Sequence, residues 1–399
     1  MTGDARRRRV RRVTIASRLF APEVGAAAFR LRVLADAFAE AGLAVEVLTS
    51  TPPAGAPPIA DAALRVHRWP ALRDGNGNIR GYAHYLSYDL PLFLRLLNAR
   101  RPDLYVVEPP PTTGAVVRVA ATLRRRRYVY YAADIWSEAA GSAGAPAPLV
   151  AVLRRLESWV MRGAAVVLAV SEEVATRVEG LDVDPARLTV VGNGVDTDIF
   201  TPEGPRAEAS EPCFVYTGTM SEWQGAEVFI EGLARHRSRG GPGRAVFLGQ
   251  GSDLQALRAL AGRLVPGAVD FLGVQSPEVA ASWLRGATAA LVSIRPGIGY
   301  DFARPTKVYA ATGCGTPVIF AGPGAARRLV TQEHLGWGVD HDPEAVSAAM
   351  DLALARAATA GTEPSAEHLV RWTAANASLR ARARTAVAAL LDTLQQTAG

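Results

Sequence analysis

The sequence predicts an α/β protein built from two doubly wound, Rossmann-like domains that face each other across a cleft. Short, continuously apolar runs alternate with helix-length segments along the chain, the pattern of parallel strands buried on both faces. The alternation breaks once, at residues 201–213, and then restarts. At 399 residues the chain is long enough for two such domains of roughly 100–200 residues each.

In order, the strand-like runs of the first half are residues 13–17, 44–48, 104–108, 128–132, 166–170 and 188–191. Between the first two, Leu31, Leu34, Phe38 and Ala41 follow helical spacing, and Gly42 offers a left-handed end to that helix. The second half supplies 214–217, 245–248, 269–272, 289–293 and 318–321. Strand–helix alternation of this kind implies right-handed crossovers and a doubly wound sheet in each half. The break, TPEGPRAEASEPC, is polar, rich in Pro, Glu and Ala and without period, and is expected to be a linker. It divides a first domain, residues 1–200, from a second, residues 214–375. Such sheets bind ligands beyond the carboxyl ends of their strands, so two halves facing across a linker predict a binding edge on each wall of the cleft.

Composition narrows the function classes. Apolar residues make up 49% and charged residues 21%, enough to bury a large core. No run of about 18 apolar residues occurs, so no membrane span is expected. The arginine-rich start lacks the apolar stretch of a secretory signal, and Cys213 and Cys314 lie far apart without metal-ligand spacing, which together point to a reducing cytoplasm. The six histidines do not cluster, so neither a protein-ligated metal nor a metal cofactor is expected. The net charge of +6 includes arginine runs at 6–9 and 124–127. A solvated tail and a helix end explain them most simply; the sharper reading is attraction to an anionic membrane surface or a phosphorylated acceptor. No aromatic residues interleave with the runs as stacking platforms, which argues against nucleic acid.

Among 44 Lys and Arg residues there is a single lysine, Lys307. In a chain that otherwise uses arginine for every cation, a lone lysine marks a place where a compact ammonium is needed and a planar guanidinium is the wrong shape; chance survival is the alternative. Arg304-Pro305-Thr306-Lys307 opens a helix, with Pro and Thr suited to its first turn. A cation there opposes the helix dipole by about 0.3–1 kcal/mol. The conflict disappears if an anion sits at the helix start, so Arg304 and Lys307 are a candidate diphosphate site.

VVGNGVDTDIFTP, YTGTMSEWQGAEVFIEGLA, FLGQGSDLQAL, VDFLGVQSPEVAASWL and PTKVYAATGCGTPV follow one another in the order found in the family 4 glycosyltransferases, which have the GT-B fold. FAPEVGAAAFRLRVLADAF at the N-terminus is similar to that family's glycine loop and first helix. The resemblance covers nearly the whole chain and is nearest to the bacterial surface-polysaccharide and natural-product branch with P-[ST]-K before the donor helix. It implies a retaining, metal-independent transferase that moves a sugar from a nucleotide-diphosphate sugar to an acceptor hydroxyl. Carried over position by position, Gly25 and Gly218 let the two domains' loops approach the donor, and Val274 meets the nucleobase through its backbone. Asn193 and Gly194 shape the chain before the linker. The segment 376–399, with Leu379, Val387, Leu390 and Leu391 at near-helical spacing, is expected to return to the first domain.

Departures from the family pattern bear on the site. Thr219 and Gln224 stand where many members place Arg and Lys, leaving Gln224 as the donor-site residue at the latter position and Lys307 and Arg304 as replacement cations. Phe302 and Ala310 stand where two glutamates are usual; Asp301 is the substitute for the first, and none is evident for the second. Ala133 replaces a histidine, whereas Asp134 and Trp136 are kept. Asp134, at a strand's carboxyl end, is the candidate to orient the acceptor hydroxyl or accept its proton, with capping of the next helix as the alternative. Asp196-Thr197-Asp198 spells a metal-binding D-x-D but is expected to be a turn. A catalytically weak partner protein of the same fold and a sugar-nucleotide epimerase are the rival readings. Residues 80–102, rich in leucine, aromatics and arginine, are expected to form a core helix or to bring a face to a membrane or lipid-linked acceptor.

Overall fold

The computed structural model describes residues 10–23, 26–53, 64–74, 77, 79, 81–98, 100–142, 144–359, 361 and 363–396. The chain divides into two compact units, unit 1 comprising Met1–Asn193 with Leu379–Gly399 and unit 2 comprising Gly194–Ser378.

Unit 1 runs through β1 (Arg12–Ala16), α1 (Ala26–Glu40), β2 (Ala44–Ser50), β3 (Arg65–Trp69), α2 (Tyr82–Asn98), β4 (Leu104–Val107), α3 (Pro111–Leu123), β5 (Arg127–Ala132), α4 (Trp136–Ser142), α5 (Ala147–Arg162), β6 (Val166–Ala169), α6 (Glu172–Glu179) and β7 (Leu188–Val190). Its strands pair in parallel in the order β3-β2-β1-β4-β5-β6-β7. The central strands β4 and β6 are buried at every position, as sheets covered on both faces require.

Unit 2 contains β8 (Cys213–Thr217), α7 (Glu227–Ser238), β9 (Arg244–Leu248), α8 (Leu254–Leu264), β10 (Val269–Gly273), α9 (Pro277–Gly286), β11 (Ala289–Ser293), α10 (Thr306–Gly313), β12 (Val318–Ala321), α11 (Gly324–Gln332), β13 (Gly336–Val339), α12 (Pro343–Ala358) and α13 (Ala366–Asn376). The strands again pair in parallel, in the order β10-β9-β8-β11-β12-β13. Two apolar layers fill this unit, one on each face of the sheet, around Val215, Val292 and Phe320 on one side and Phe214, Phe229 and Phe247 on the other.

The expected linker at 201–213 requires correction. Buried Arg285 on α9 donates from Nε to the Pro205 carbonyl at 2.8 Å and from Nη1 to that of Thr201 at 3.1 Å. The Ala207 amide donates to the Ser282 carbonyl at 2.9 Å. A Cβ at Gly286 would lie 2.2 Å from the Ala207 oxygen, so the segment is packed against unit 2 at contact distance. Its polar composition reflects solvent exposure on one side, not freedom from the domain. The units part instead at 193/194 and at 378/379. Beside these junctions the Val195 amide donates to the Ala377 carbonyl at 2.9 Å, holding the start and end of unit 2 together.

The last helix, α14 (Leu379–Gln396), belongs to unit 1 and packs on α1. It buries Leu379, Val387, Leu390 and Leu394, with Leu394 in place of the expected Leu391. Arg384 pairs with Glu40 at 2.8 Å, and Arg127 donates to the Leu394 carbonyl at 2.8 Å.

Candidate functional site

In unit 2, β8 and β11 are neighbours, but the chain leaves β8 towards β9 on one side and β11 towards β12 on the other. The loops that follow them diverge, and such a switch point is where an open parallel sheet takes its ligand. The loop after β8 begins at Gly218, and the loop after β11 leads to α10.

Lys307 stands in the first turn of α10, whose N-cap, Pro305, provides no side-chain hydrogen bond. Its ammonium donates to the Tyr216 hydroxyl at 2.5 Å and to the Thr219 carbonyl at 3.0 Å, and lies 3.8 Å from the centre of the Tyr216 ring. Among the described residues no carboxylate forms an ion pair with it. Burial therefore holds the ammonium well below the usual lysine range. Gly218 has φ +103°, open to glycine and rarely to other residues, and a Cβ there would lie 3.1 Å from Lys307 Cε. The backbone around it is equally close-fitting: a Cβ at Gly249 would sit 1.9 Å from the Gly218 oxygen, and one at Gly251 2.1 Å from the Met220 oxygen. These glycines let two loops pack backbone to backbone beside the ammonium.

Gln224 takes a different place from the one expected. It is buried, with Oε1 accepting from the Tyr216 hydroxyl at 3.0 Å and the Ser221 amide at 3.1 Å, while Nε2 donates to Thr219 Oγ1 at 3.2 Å. These three bonds shape the loop and let Gln224 position Tyr216 and Thr219. Tyr216, which the sequence reading passed over, is the residue that links Gln224 to Lys307.

The remaining unit 2 candidates are spread along the carboxyl edge. Val274, 51% exposed, follows β10 at the far side of β9. Asp301 is exposed, and its carbonyl accepts from the Ala325 amide at 2.9 Å where α11 begins. Arg304 immediately precedes Pro305. Asp196 Oδ1 accepts from the Asp198 amide at 3.0 Å, the local turn expected for that motif.

Unit 1 has its own switch point, between β1 and β4. Three buried residues meet there. Arg30 on α1 pairs with Glu108 at 2.8 Å, with side chains 8% and 4% exposed, and Ser17 Oγ donates to the other Glu108 oxygen at 3.0 Å. Sequence reasoning missed this trio; the only signals were a glutamate closing an apolar strand and an arginine on a helix's apolar side. Asp134, open to solvent at the end of β5, lies within the field of the pair. Dense surrounding protein raises its carboxyl to about 6, with Arg30 opposing the rise and Glu108 and Glu157 reinforcing it.

Among the described residues Asp134 makes no hydrogen bond to the start of α4. Capping there falls to Glu157, reaching across from α5 to accept from the amides of Trp136 at 2.8 Å and Ser137 at 3.1 Å and from Ser137 Oγ at 2.7 Å. Nearby, the Arg18 guanidinium lies 4.5 Å from the Tyr85 ring and 5.3 Å from that of Trp136, giving this edge an aromatic and cationic wall. Gly25 and Arg6 to Arg9 lie outside the described residues.

Residues 25–194 match the glycosyl transferase 4-like domain and residues 211–356 the glycosyl transferases group 1 domain. D-inositol 3-phosphate glycosyltransferase of Corynebacterium efficiens is 30% identical over 202 residues, 44% of this chain and 45% of that protein; the match thus spans about half the length of the relative. Among solved structures, sucrose-phosphate synthase from Thermosynechococcus elongatus superposes with a TM-score of 0.77 at 18% identity, over 97% of this chain and 100% of that one. HepE of Anabaena, in complex with UDP and glucose, gives 0.69 at 17% identity over 95% and 99%. The lipopolysaccharide glycosyltransferase WaaG gives 0.65 at 15% identity over 97% and 98%.

Proposed function

Because the chain belongs to the family 4 glycosyltransferases of GT-B fold, we propose that it transfers a sugar from a nucleotide-diphosphate sugar to an acceptor hydroxyl with retention of anomeric configuration. The observation that carries this reading is Lys307, a half-buried ammonium with no carboxylate partner among the described residues, at the start of α10 and beside Gly218. Departure of a nucleoside diphosphate builds negative charge on its phosphate oxygens, and a preorganised cation with helix-terminal amides stabilises that charge without a metal. Tyr216 and Thr219 hold the ammonium in place, Gln224 holds them, and Arg304 is the second cation. Val274 and Asp301 are the contacts for base and sugar. Similarity to a solved UDP complex supports a nucleotide-sugar donor.

Asp134 in unit 1 is the group that orients the acceptor hydroxyl or takes its proton, and a carboxyl near 6 is suited to that work at neutral pH. In a retaining transfer the acceptor attacks from the leaving-group side, where a departing phosphate oxygen also serves as base. The acceptor is a glycolipid, a polysaccharide precursor or a secondary metabolite. Contact with a bilayer is supported by α2, which buries Tyr88, Leu92 and Leu96 inward yet leaves Leu86, Leu90 and Leu94 between 50% and 66% exposed. A helix apolar on both sides needs a partner on the outer one. No described helix is long and apolar enough to cross a membrane.

A thermal-shift screen against UDP-, GDP- and dTDP-sugars tests the donor reading. A donor that binds only the native state raises its melting temperature, by the equivalent of about 2.7 kcal/mol at a hundredfold excess over Kd. One nucleotide class is expected to shift the wild type, Lys307→Ala to lose the shift, and Lys307→Arg to lose most of it with the fold intact. No shift with any donor removes the reading. A folded Lys307→Arg protein with full activity removes the claim that the ammonium's shape matters.

A further inference from the structure

Unit 1 carries a second cationic feature. Helices α3 and α5 and the turn after α6 enclose a groove of about 640 Å³. Arg118 lines it from α3, and Arg154, Arg155, Trp159 and Arg162 line it from α5, with Asp182 the one acid among the lining residues. Arg154 donates to the Gly180 carbonyl at 3.1 Å. Among the described residues, no ion pair joins Arg118, Arg155 or Arg162 to a carboxylate. Exposed arginines elsewhere do find such partners, as in Arg371 with Glu367 at 3.0 Å and Arg384 with Glu40 at 2.8 Å.

Arg118 is held in place rather than waving in solvent. Its guanidinium lies 4.1 Å from the Trp159 ring, and Gly163 leaves it room, since a Cβ there would fall 2.4 Å from Arg118 Cζ. Its Nη1 is closed off from solvent and has no acceptor among the described residues. Four like charges in one concavity repel one another, a cost relieved by one anion that accepts charge-assisted hydrogen bonds from exposed guanidinium groups such as those of Arg155 and Arg162. The guanidinium fork suits the oxygens of a phosphate.

We propose that this groove binds the phosphate group of a phosphomonoester or phosphodiester. It is a different site from the one at Lys307, which is in unit 2. It also lies apart from Asp134: α3 and α5 run back from the carboxyl edge of the sheet, Arg118 and Arg162 fall in their second halves, and Gly180 to Asp182 follow the end of α6. The inference therefore stands whether or not the transfer reaction is as proposed. Two sources could supply the group, a lipid headgroup or a soluble phosphorylated compound. Exposed Val119, Leu123 and Val152 on the same two helices favour the lipid.

The test uses the full chain carrying Lys307→Ala, so that the donor site does not report, with and without Arg155→Glu and Arg162→Glu. Both arginines are exposed, and a thermal melt verifies folding. In one arm the protein is co-sedimented with phosphatidylcholine vesicles containing or lacking 30% phosphatidylglycerol, the composition chosen at roughly physiological anionic content. In the other, inorganic phosphate is titrated calorimetrically. Expected is binding that requires the anionic lipid, weakens with salt and drops at least tenfold in the charge-reversed protein, with phosphate affinity falling in parallel. Loss of phosphate affinity with vesicle binding unchanged assigns the groove to a soluble phosphate compound. A folded charge-reversed protein that matches its parent in both arms overturns the proposal.

Discussion

Replacing Arg30 by Leu should damage unit 1 in two separable ways. The guanidinium and the Glu108 carboxylate are 2.8 Å apart, with side chains 8% and 4% exposed, so neither has water to fall back on. Removing one member of a buried pair leaves the other charge stranded, at a cost of about 3–5 kcal/mol. Among the described residues Glu108 would keep the Ser17 hydroxyl as a donor, and that hydroxyl also faces the Leu19 carbonyl at 2.7 Å. Replacing both residues by Leu removes the stranded charge and should recover most of the loss, to within about 1–2 kcal/mol of wild type. The second effect is on Asp134. Arg30 is what opposes the rise of that carboxyl to about 6, so its removal moves the value further up. If ionised Asp134 serves the acceptor, the wild-type rate climbs with pH through about 6 and levels off above it. In Arg30→Leu the inflection shifts to higher pH, and by about one unit for each 1.4 kcal/mol of lost attraction. Urea unfolding at pH 7 and initial rates between pH 4.5 and 8.5 measure the two effects on the same proteins. A single variant less than about 1 kcal/mol below wild type, with the inflection unmoved, would refute both the burial argument and the electrical link to Asp134.

Three other perturbations address different parts of the chain. Gly218→Ala forces a side chain into φ +103° and against Lys307 Cε, so donor affinity measured by calorimetry should fall by the equivalent of about 1–3 kcal/mol; an unchanged Kd would show that the loop relaxes freely. Ending the chain at Ser378 strips α14 from α1 and uncovers the partners of Leu379, Val387, Leu390 and Leu394, at about 1.5–3 kcal/mol each, enough to unfold unit 1; retention of a cooperative unit 1 melt would contradict this. Donor affinity should also weaken as pH rises past the depressed value of free Lys307, since the phosphates bind its charged form, while transfer should withstand EDTA; a rate lost to EDTA and restored by magnesium or manganese would show a metal requirement.

The doubly wound sheets could be read from sequence because their central strands are continuous apolar runs with few competing interpretations. The two strands that escaped, β3 and β13, each lie at an edge of a sheet, whereas the other edges, β7 and β10, fall on runs read from the sequence. β3, RVHRW, alternates exposed and partly buried positions, buries only Trp69 and carries two arginines and a histidine, and β13, GWGV, is half glycine and only partly buried. An edge strand has solvent on one side and so lacks the hydrophobic signature of the interior. The site was legible in a similarly uneven way. Lys307 stood out by composition and Gly218 by the resemblance, both being demands of chemistry on residue type. Glu108, Arg30 and Glu157 were not visible, because pairing across 78 residues, or capping across 20, leaves no local trace. Gln224 was misplaced for a related reason: polarity alone does not distinguish a side chain facing a ligand from one turned inward to hold a loop.

Unit 2 interrupts unit 1 in the chain, and this orders events on the ribosome. By the time residue 193 has emerged, the sheet of unit 1 is complete from β1 to β7, but the face of α1 that α14 will cover is still bare. Residues 194–378 must be made first, which at about 5–20 residues per second takes roughly 10–40 s. Unit 2 suffers no such delay, since its two ends are joined by Val195 and Ala377 as soon as the latter appears. The second half of the protein can therefore finish folding before the first, and the newborn chain carries an uncovered apolar face for most of its synthesis, a window in which a chaperone or a neighbouring nascent chain would find it.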